Sequence, residues 1–85
     1  MTSDLIPIDS ANTAIEEFKR RNVKLFGFEG FAAKENGYMP LLNCVADFSM
    51  GAERNYFDYD GALKLIKEMQ TENKELTHVE FVIEE

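Results

Sequence analysis

Apolar residues recur at helical spacing in two separate segments of the chain. In the first segment the spacing is i, i+3, i+4, i+7, which places the side chains on one side of a helix: Ala11, Ala14, Ile15 and Phe18. Asp9 or Ser10 suits the start of this helix as an N-cap, and Asn22 suits its end. This segment therefore predicts an amphipathic helix from about residue 10 to residue 21.

The second helical segment follows two aspartates. Asp58 or Asp60 is a suitable N-cap, since a carboxylate accepts a hydrogen bond from the first free N–H groups of a helix. The apolar positions that follow again share one side of a helix: Ala62, Leu65, Ile66 and Met69. A second amphipathic helix is therefore expected here.

Residues 23–50, between the two helices, predict a β-hairpin. Asn36-Gly37 favours a type I′ turn, because both of its central positions need positive φ. With this pair at the centre, the numbers of paired residues sum to 73. That register gathers apolar residues on one face: Val23 with Met50, Leu25 with Phe48, Gly27 with Ala46, Phe31 with Leu42, and Ala33 with Pro40.

One charged residue interrupts the apolar face of this hairpin. In the same register Glu29 lies opposite Cys44, on the side that is expected to be buried. A β-bulge near Gly27 or Gly30 would rotate Glu29 outward. The two glycines therefore indicate a bulge or a close backbone approach.

The ends of the chain complete the fold prediction. At the C-terminus Val79, Phe81 and Ile83 alternate with polar residues, which indicates a half-buried strand in which Val82 slightly breaks the pattern. At the N-terminus, residues 1–9 are expected to form an extended arm, because Pro7 disfavours helix at the residue before it. Residues 54–57 fit either a short strand or an ordered loop.

These elements predict an α+β class and a single two-layer domain over residues 1–85. The expected order is α-β-β-(β)-α-β, with a mostly antiparallel sheet of three or four strands and two helices on one face. The expected core includes the following residues: Phe18, Leu25, Phe48, Ile66 and Phe81.

Composition narrows the classes of function. The chain of 85 residues carries 16 acidic and 9 basic residues, for a formal net charge of −7. Such a surface repels phosphate backbones and argues against direct nucleic-acid binding, while a basic protein partner is compatible with it. Acidity that only keeps a small protein soluble is the other interpretation.

Cysteine count and hydropathy bear on location. Cys44 is the single cysteine, so no intramolecular disulfide can form. The sequence also lacks a signal-like apolar run and any stretch of membrane-spanning length. A cytoplasmic protein with no membrane contact is the expectation.

Searches for catalytic and metal-binding motifs favour structural interpretations. Asp58-Tyr59-Asp60-Gly61 resembles part of a calcium loop, but aligning Gly61 with the loop glycine puts Tyr56 and Lys67 at ligand positions. Helix capping accounts for both aspartates instead. We therefore predict neither a metal nor a cofactor.

A nucleophilic triad of Cys44, His78 and Glu29 can be written for this sequence. The stronger interpretation places Cys44 in the core as a small apolar residue and His78 at the end of a strand. An enzyme using these residues therefore ranks last among the functions considered, and no catalytic residue is predicted.

The opposite face of the predicted hairpin is unexpectedly apolar. In the same register it carries several apolar side chains: Phe26, Phe28, Met39, Leu41 and Val45. Either the N-terminal arm or a helix covers this face, or it mediates dimerisation or partner binding.

The leading hypothesis is a non-enzymatic protein-binding module that inhibits a basic nucleic-acid-binding protein. Phage or mobile-element proteins of anti-defence or anti-CRISPR type, and immunity proteins, have this general character. The expected partner-binding residues combine acidic and aromatic side chains: Phe26, Phe28, Asp47, Glu53, Tyr56, Asp58 and Asp60. The alternative is a small-molecule-binding or regulatory domain that acts as a homodimer.

Overall fold

The computed structural model describes residues 1–53 and 57–85, and the side chains of these except at 52 and 53. The elements follow in chain order: β1 (Ile6–Pro7), a 3-10 turn (Ile8–Ser10), α1 (Ala11–Arg21), β2 (Lys24–Lys34), β3 (Gly37–Asp47), α2 (Ser49–Glu53), α3 (Tyr59–Glu72) and β4 (His78–Glu84). Within the described ranges no helix is both long and apolar enough to cross a membrane.

The sheet is antiparallel and has the strand order β1-β4-β2-β3. This arrangement confirms the predicted α+β class. The N-terminal arm joins the sheet rather than lying across it: Ile6 pairs with Val79, Pro7 pairs with His78, and Ser3 N donates to Phe81 O at 2.8 Å. The arm therefore covers the backbone edge of β4.

Both long helices pack on the same side of the sheet and share one core with it. The predicted stripes are buried at Ala11, Ile15 and Phe18 on α1, and at Ala62, Ile66 and Met69 on α3. The rings of Phe18 and Phe81 meet edge to face with centroids 5.2 Å apart, a favourable arrangement for an aromatic pair.

The helix ends largely follow the predicted signals. Asn22 ends α1 in the left-handed conformation with φ of 58°, and the Asp58 carboxylate accepts a hydrogen bond from Gly61 N at 2.8 Å at the start of α3. Ser10 occupies the N-cap position of α1 without a side-chain capping bond, because the chain enters through a 3-10 turn instead.

A β-bulge in β2 reverses part of the predicted hairpin face. Relative to β4 the register shifts between Leu25 and Gly27, so that Phe26 is an extra residue. Beyond this bulge Phe28 faces the core and is 3% exposed, and Glu29 lies on the opposite side. The anticipated outward rotation of Glu29 is confirmed, while the outward position predicted for Phe28 is wrong. Burying a phenyl ring in place of a carboxylate is the physical reason.

The close backbone approach expected at the two glycines is also present. A Cβ on Gly27 would lie 2.3 Å from Ala46 O, and one on Gly30 would lie 2.7 Å from Cys44 Cβ. A side chain at either position would therefore push β2 and β3 apart. Glycine allows the strands to stay close where the bulges occur.

The predicted turn of the hairpin is displaced by one residue. Lys34 pairs with Gly37, so Glu35 and Asn36 are the central residues, and Gly37 alone takes a positive φ, of 129°. The prediction of a type I′ turn at Asn36-Gly37 is wrong, because that turn needs positive φ at both central residues and Asn36 does not have it. Phe31 consequently lies opposite Pro40 rather than Leu42.

A second irregularity lies in β3. The register with β2 jumps from Gly30–Leu41 to Glu29–Val45, which leaves the three residues between Leu41 and Val45 without partners on β2. Leu41 is 6% exposed and Leu42 is 90% exposed, the reverse of the predicted faces. Asn43 Nδ2 donates to Asn73 Oδ1 at 2.6 Å and ties this bulge to the end of α3.

The predicted core is confirmed at four positions: Phe18, Leu25, Ile66 and Phe81. Phe48 is only half-buried and packs against the core from its edge, with its ring 6.0 Å from that of Phe28. The predicted pairing of Leu25 with Phe48 is wrong, because β3 ends at Asp47 and α2 follows it. The choice between strand and loop for 54–57 falls mostly outside the described residues.

Candidate interaction surface

The sheet surface opposite α1 and α3 is the candidate functional site, and we call it the outer face. It includes these side chains from the three longest strands: Phe26, Glu29 and Phe31 of β2, Val45 of β3, and His78, Glu80 and Val82 of β4. Both long helices pack on the other side of the sheet, and the short α2 reaches the border of this face, where Ser49 lines the same depression as Phe26. Among the described residues, Val45 and Val82 are left accessible to a partner.

An acidic pair lies at the centre of the outer face. Glu29 and Glu80 are directly opposite each other on β2 and β4, and Val45 continues the same row on β3. Cβ atoms of directly opposite residues lie about 4.5–5.5 Å apart, so the two side chains start next to each other on the sheet. The described residues place no ion-pair partner beside either of them.

Apolar side chains lie beside the acidic pair and beyond it toward one end of the sheet. Phe26 stands at the β2 bulge, while Val45 and Val82 are 51% and 39% exposed. Together with Glu29 they line a shallow depression of about 430 Å³. The outer face thus combines apolar side chains with a central pair of carboxylates.

Aromatic and imidazole groups flank the pair toward the other end. Phe31 lies opposite His78, and the ring of Tyr38 meets that imidazole edge to face with centroids 4.8 Å apart. His78 Nδ1 lies 2.9 Å from Thr77 Oγ1, which sets the orientation of the ring. This end of the outer face is therefore well packed.

The structure separates the predicted aromatic binding residues. Phe26 lies on the outer face beside the depression, as predicted. Phe28 belongs to the core, where its ring centroid is 6.0 Å from that of Phe81. Of this pair, only Phe26 is placed to touch a partner directly.

Three of the predicted acidic binding residues make local structural contacts. The Asp47 carboxylate accepts a hydrogen bond from Ser49 N at 2.9 Å, and hydrogen bonds from Ser49 hold the pKa of Asp47 below its ordinary value. Asp58 caps α3, and Asp60 forms an exposed ion pair with Lys19 at 3.1 Å. The capping interpretation of Asp58 is confirmed.

Two predicted binding residues cannot be placed on the outer face. Tyr56 lies outside the described residues, and for Glu53 only the backbone at the end of α2 is described.

Among the described residues, no group of three or more His, Cys, Asp or Glu side chains is arranged to hold a metal ion.

The residues of the hypothetical nucleophilic triad lie on opposite sides of the sheet. Cys44 is 0% exposed on the core side, whereas Glu29 and His78 belong to the outer face. Burial raises the pKa of the Cys44 thiol, and the charge of Glu75 adds to this effect. Neither the base nor the carboxylate of such a triad reaches the sulfur in this fold.

Several outer-face residues were not among the predicted binding residues: Glu29, Phe31, His78, Glu80 and Val82. Val82 did carry a signal, because an apolar residue at an outward strand position breaks the alternation. The juxtaposition of Glu29 with Glu80 carried none, since β2 and β4 are far apart in the chain and their register depends on the bulge at Phe26.

Comparison with protein-family models, curated proteins and solved structures gave no match.

Proposed function

We propose that this chain is a protein-binding module without catalytic activity of its own, which contacts a basic partner through the outer face. The observation that carries the proposal is the open sheet surface on which exposed apolar side chains flank Glu29 and Glu80. Open apolar patches rimmed by polar groups are typical of protein interaction sites.

Charge supports a basic partner. A net charge of −7 accelerates encounter with a positive surface and disfavours contact with nucleic acid itself. The sharper form of the proposal is an inhibitor of a nucleic-acid-binding protein. Phage-encoded anti-defence proteins of anti-CRISPR type and immunity proteins against basic nucleases are examples of such inhibitors, and this step rests on analogy of composition and fold class.

Capture with matched variants tests the proposal. Three forms of the chain are immobilised and exposed to lysate of the native host. They are the wild type, the outer-face variant Phe26→Ala/Val45→Ser and the control Met50→Ser. Met50 is 70% exposed on α2, so its change removes exposed apolar surface outside the outer face. We expect a basic protein to be retained by wild type and control and lost from the outer-face variant.

The captured protein is then purified and its nucleic-acid binding measured by fluorescence anisotropy. Dose-dependent release of the nucleic acid by this chain supports an inhibitor, and association should slow as salt is raised. If the amount of captured protein changes neither with salt concentration nor in the outer-face variant, the proposal is contradicted. A co-purifying small molecule held by a homodimer, with no protein partner, would favour a regulatory domain instead.

A further inference from the structure

The open acidic pair restricts what can cover the outer face. A partner that lies on Val45 and Val82 also removes water from Glu29 and Glu80, because Val45 belongs to the same cross-strand row and Val82 is two residues from Glu80 on β4. Desolvating a carboxylate without a compensating charge or hydrogen bond is strongly unfavourable. Any stable occupant must therefore bring hydrogen-bond donors, preferably cationic ones, to the middle of an apolar contact.

A second copy of the chain fits this requirement poorly. In a symmetric dimer the same patch is presented by both subunits. Pairing two outer faces would bring two further carboxylates to the acidic pair. Among the described residues, Lys24 is the one cation on this surface, and its Nζ already lies 3.7 Å from Glu84 Oε1. The charge pattern thus favours a different protein with the opposite sign.

On these grounds, and resting on the proposed function, we propose that the outer face recognises an arginine side chain of the partner. Its guanidinium bridges Glu29 and Glu80, and apolar residues beside the arginine pack on Phe26, Val45 and Val82. A guanidinium has five donors in a planar arrangement and reaches two carboxylates at once. It is also weakly hydrated and stacks on aromatic rings, which suits a position between Phe26 and Phe31.

Lysine satisfies this surface less well. Its ammonium is a compact and strongly hydrated charge that loses more solvation when it is covered. Two carboxylates on adjacent strands also accept hydrogen bonds from donors that point in different directions. The planar guanidinium of arginine provides such donors on separate nitrogens, whereas the ammonium of lysine has a single nitrogen. The proposal therefore orders the side chains as arginine, then lysine, then neutral analogues.

A peptide titration tests this order without knowledge of the partner. The probes are acetyl-Val-Arg-Val-amide and the same peptide with lysine or citrulline in place of arginine, since citrulline keeps the shape of arginine without its charge. Amide chemical shifts of the full ¹⁵N-labelled chain report where each peptide binds. The expected shifts are on the outer face, at Phe26, Glu29, Val45, Glu80 and Val82.

The variants are Glu29→Gln/Glu80→Gln and, as a charge-matched control, Glu16→Gln/Glu68→Gln, whose side chains are exposed on α1 and α3. Hydrogen bonds between charged groups contribute strongly to the binding free energy. Replacing arginine with citrulline in the peptide, or removing the acidic pair, should therefore weaken binding about tenfold or more. The control should bind the arginine peptide as wild type does. Equal binding of arginine and citrulline peptides, or shifts centred elsewhere, would overturn the proposal.

The results also separate this inference from the function on which it rests. A captured partner that is lost with Phe26→Ala/Val45→Ser but unaffected by Glu29→Gln/Glu80→Gln overturns the arginine contact alone. Arginine-selective shifts without a host protein partner support the contact and contradict the proposed function. Concentration-dependent shifts of the outer face without peptide, together with a dimer in analytical ultracentrifugation, identify a second copy as the occupant and overturn the inference.

Discussion

Phe28 of β2 lies directly opposite Phe81 of β4, and the two ring centroids are 6.0 Å apart on the helix-facing side of the sheet. The contact exists because the extra residue Phe26 switches the side on which the following residues of β2 point. Phe26 and Phe28 are separated by one residue and nevertheless have different surroundings, because Phe26 lies on the outer face and Phe28 lies in the core.

Alanine substitutions distinguish these two phenylalanines. Phe28→Ala should lower the free energy of unfolding by about 3–5 kcal/mol, the cost of a large cavity in the core. Phe26→Ala should cost about 1 kcal/mol, because its ring is only half-buried at the surface. Urea denaturation measures both values, and equal losses would contradict the bulge.

The bulge in β3 makes a similar prediction for two neighbouring leucines. Leu41→Ala should lower stability by about 2–5 kcal/mol, because Leu41 is buried in the core. Leu42→Ala should change it by about 0.5 kcal/mol or less, since that side chain is almost fully exposed. The reverse order in urea denaturation would restore the register expected from the sequence.

The acidic pair should cost the free protein some stability. Like charges directly opposite each other on neighbouring strands are destabilising, so Glu29→Gln or Glu80→Gln should raise the free energy of unfolding by about 0.2–1 kcal/mol. The double variant should gain little more than either single one, because one substitution already removes the repulsion. A double-mutant cycle at low salt measures this coupling, and fully additive effects would show that the carboxylates do not interact.

Asp58 and Asp60 should differ in their contribution to stability. Asp58→Ala removes the carboxylate that accepts from Gly61 N and should cost about 1 kcal/mol, the usual value of an N-cap. Asp60→Ala removes only an exposed ion pair with Lys19 and should cost between about 0 and 1 kcal/mol. Thermal unfolding of both variants tests this order, which a stabilised Asp58→Ala would contradict.

Cys44 should make stability depend on alkaline pH. Burial raises the pKa of its thiol in the folded chain, so above the unfolded value of about 8.5 the unfolded state releases a proton that the native state retains. The stabilisation is complete below that pH and is lost as pH rises toward the native pKa. Urea denaturation from about pH 8 to 10 should show a steeper loss for wild type than for Cys44→Ala.

A thiol reagent provides an independent check on Cys44. Its sulfur should react slowly in the native chain and quickly in denaturant, because the thiolate is disfavoured and the side chain is 0% exposed. Fast reaction of the native protein would show that Cys44 is accessible.

Much of the architecture is determined by local sequence patterns. The two helices, the C-terminal strand and the extended arm follow from periodicity, capping residues and Pro7, all of which act over a few residues. Those signals also account for three of the confirmed core residues: Phe18, Ile66 and Phe81. They remain valid in the fold because burying an apolar stripe is favourable against almost any partner surface.

Only the tertiary structure decided the register of the hairpin and the composition of the outer face. Whether Phe28 or Glu29 points inward depends on an extra residue at Phe26, and that bulge depends on pairing with a strand some 50 residues away. Likewise Leu41 and Cys44 both reach the core only because β3 bulges between them, where Gly30 leaves room for Cys44. A strand changes face with every residue, so a single inserted residue reverses all later assignments. The pairing of Glu29 with Glu80 follows from this non-local register, and the proposed recognition of arginine depends on it.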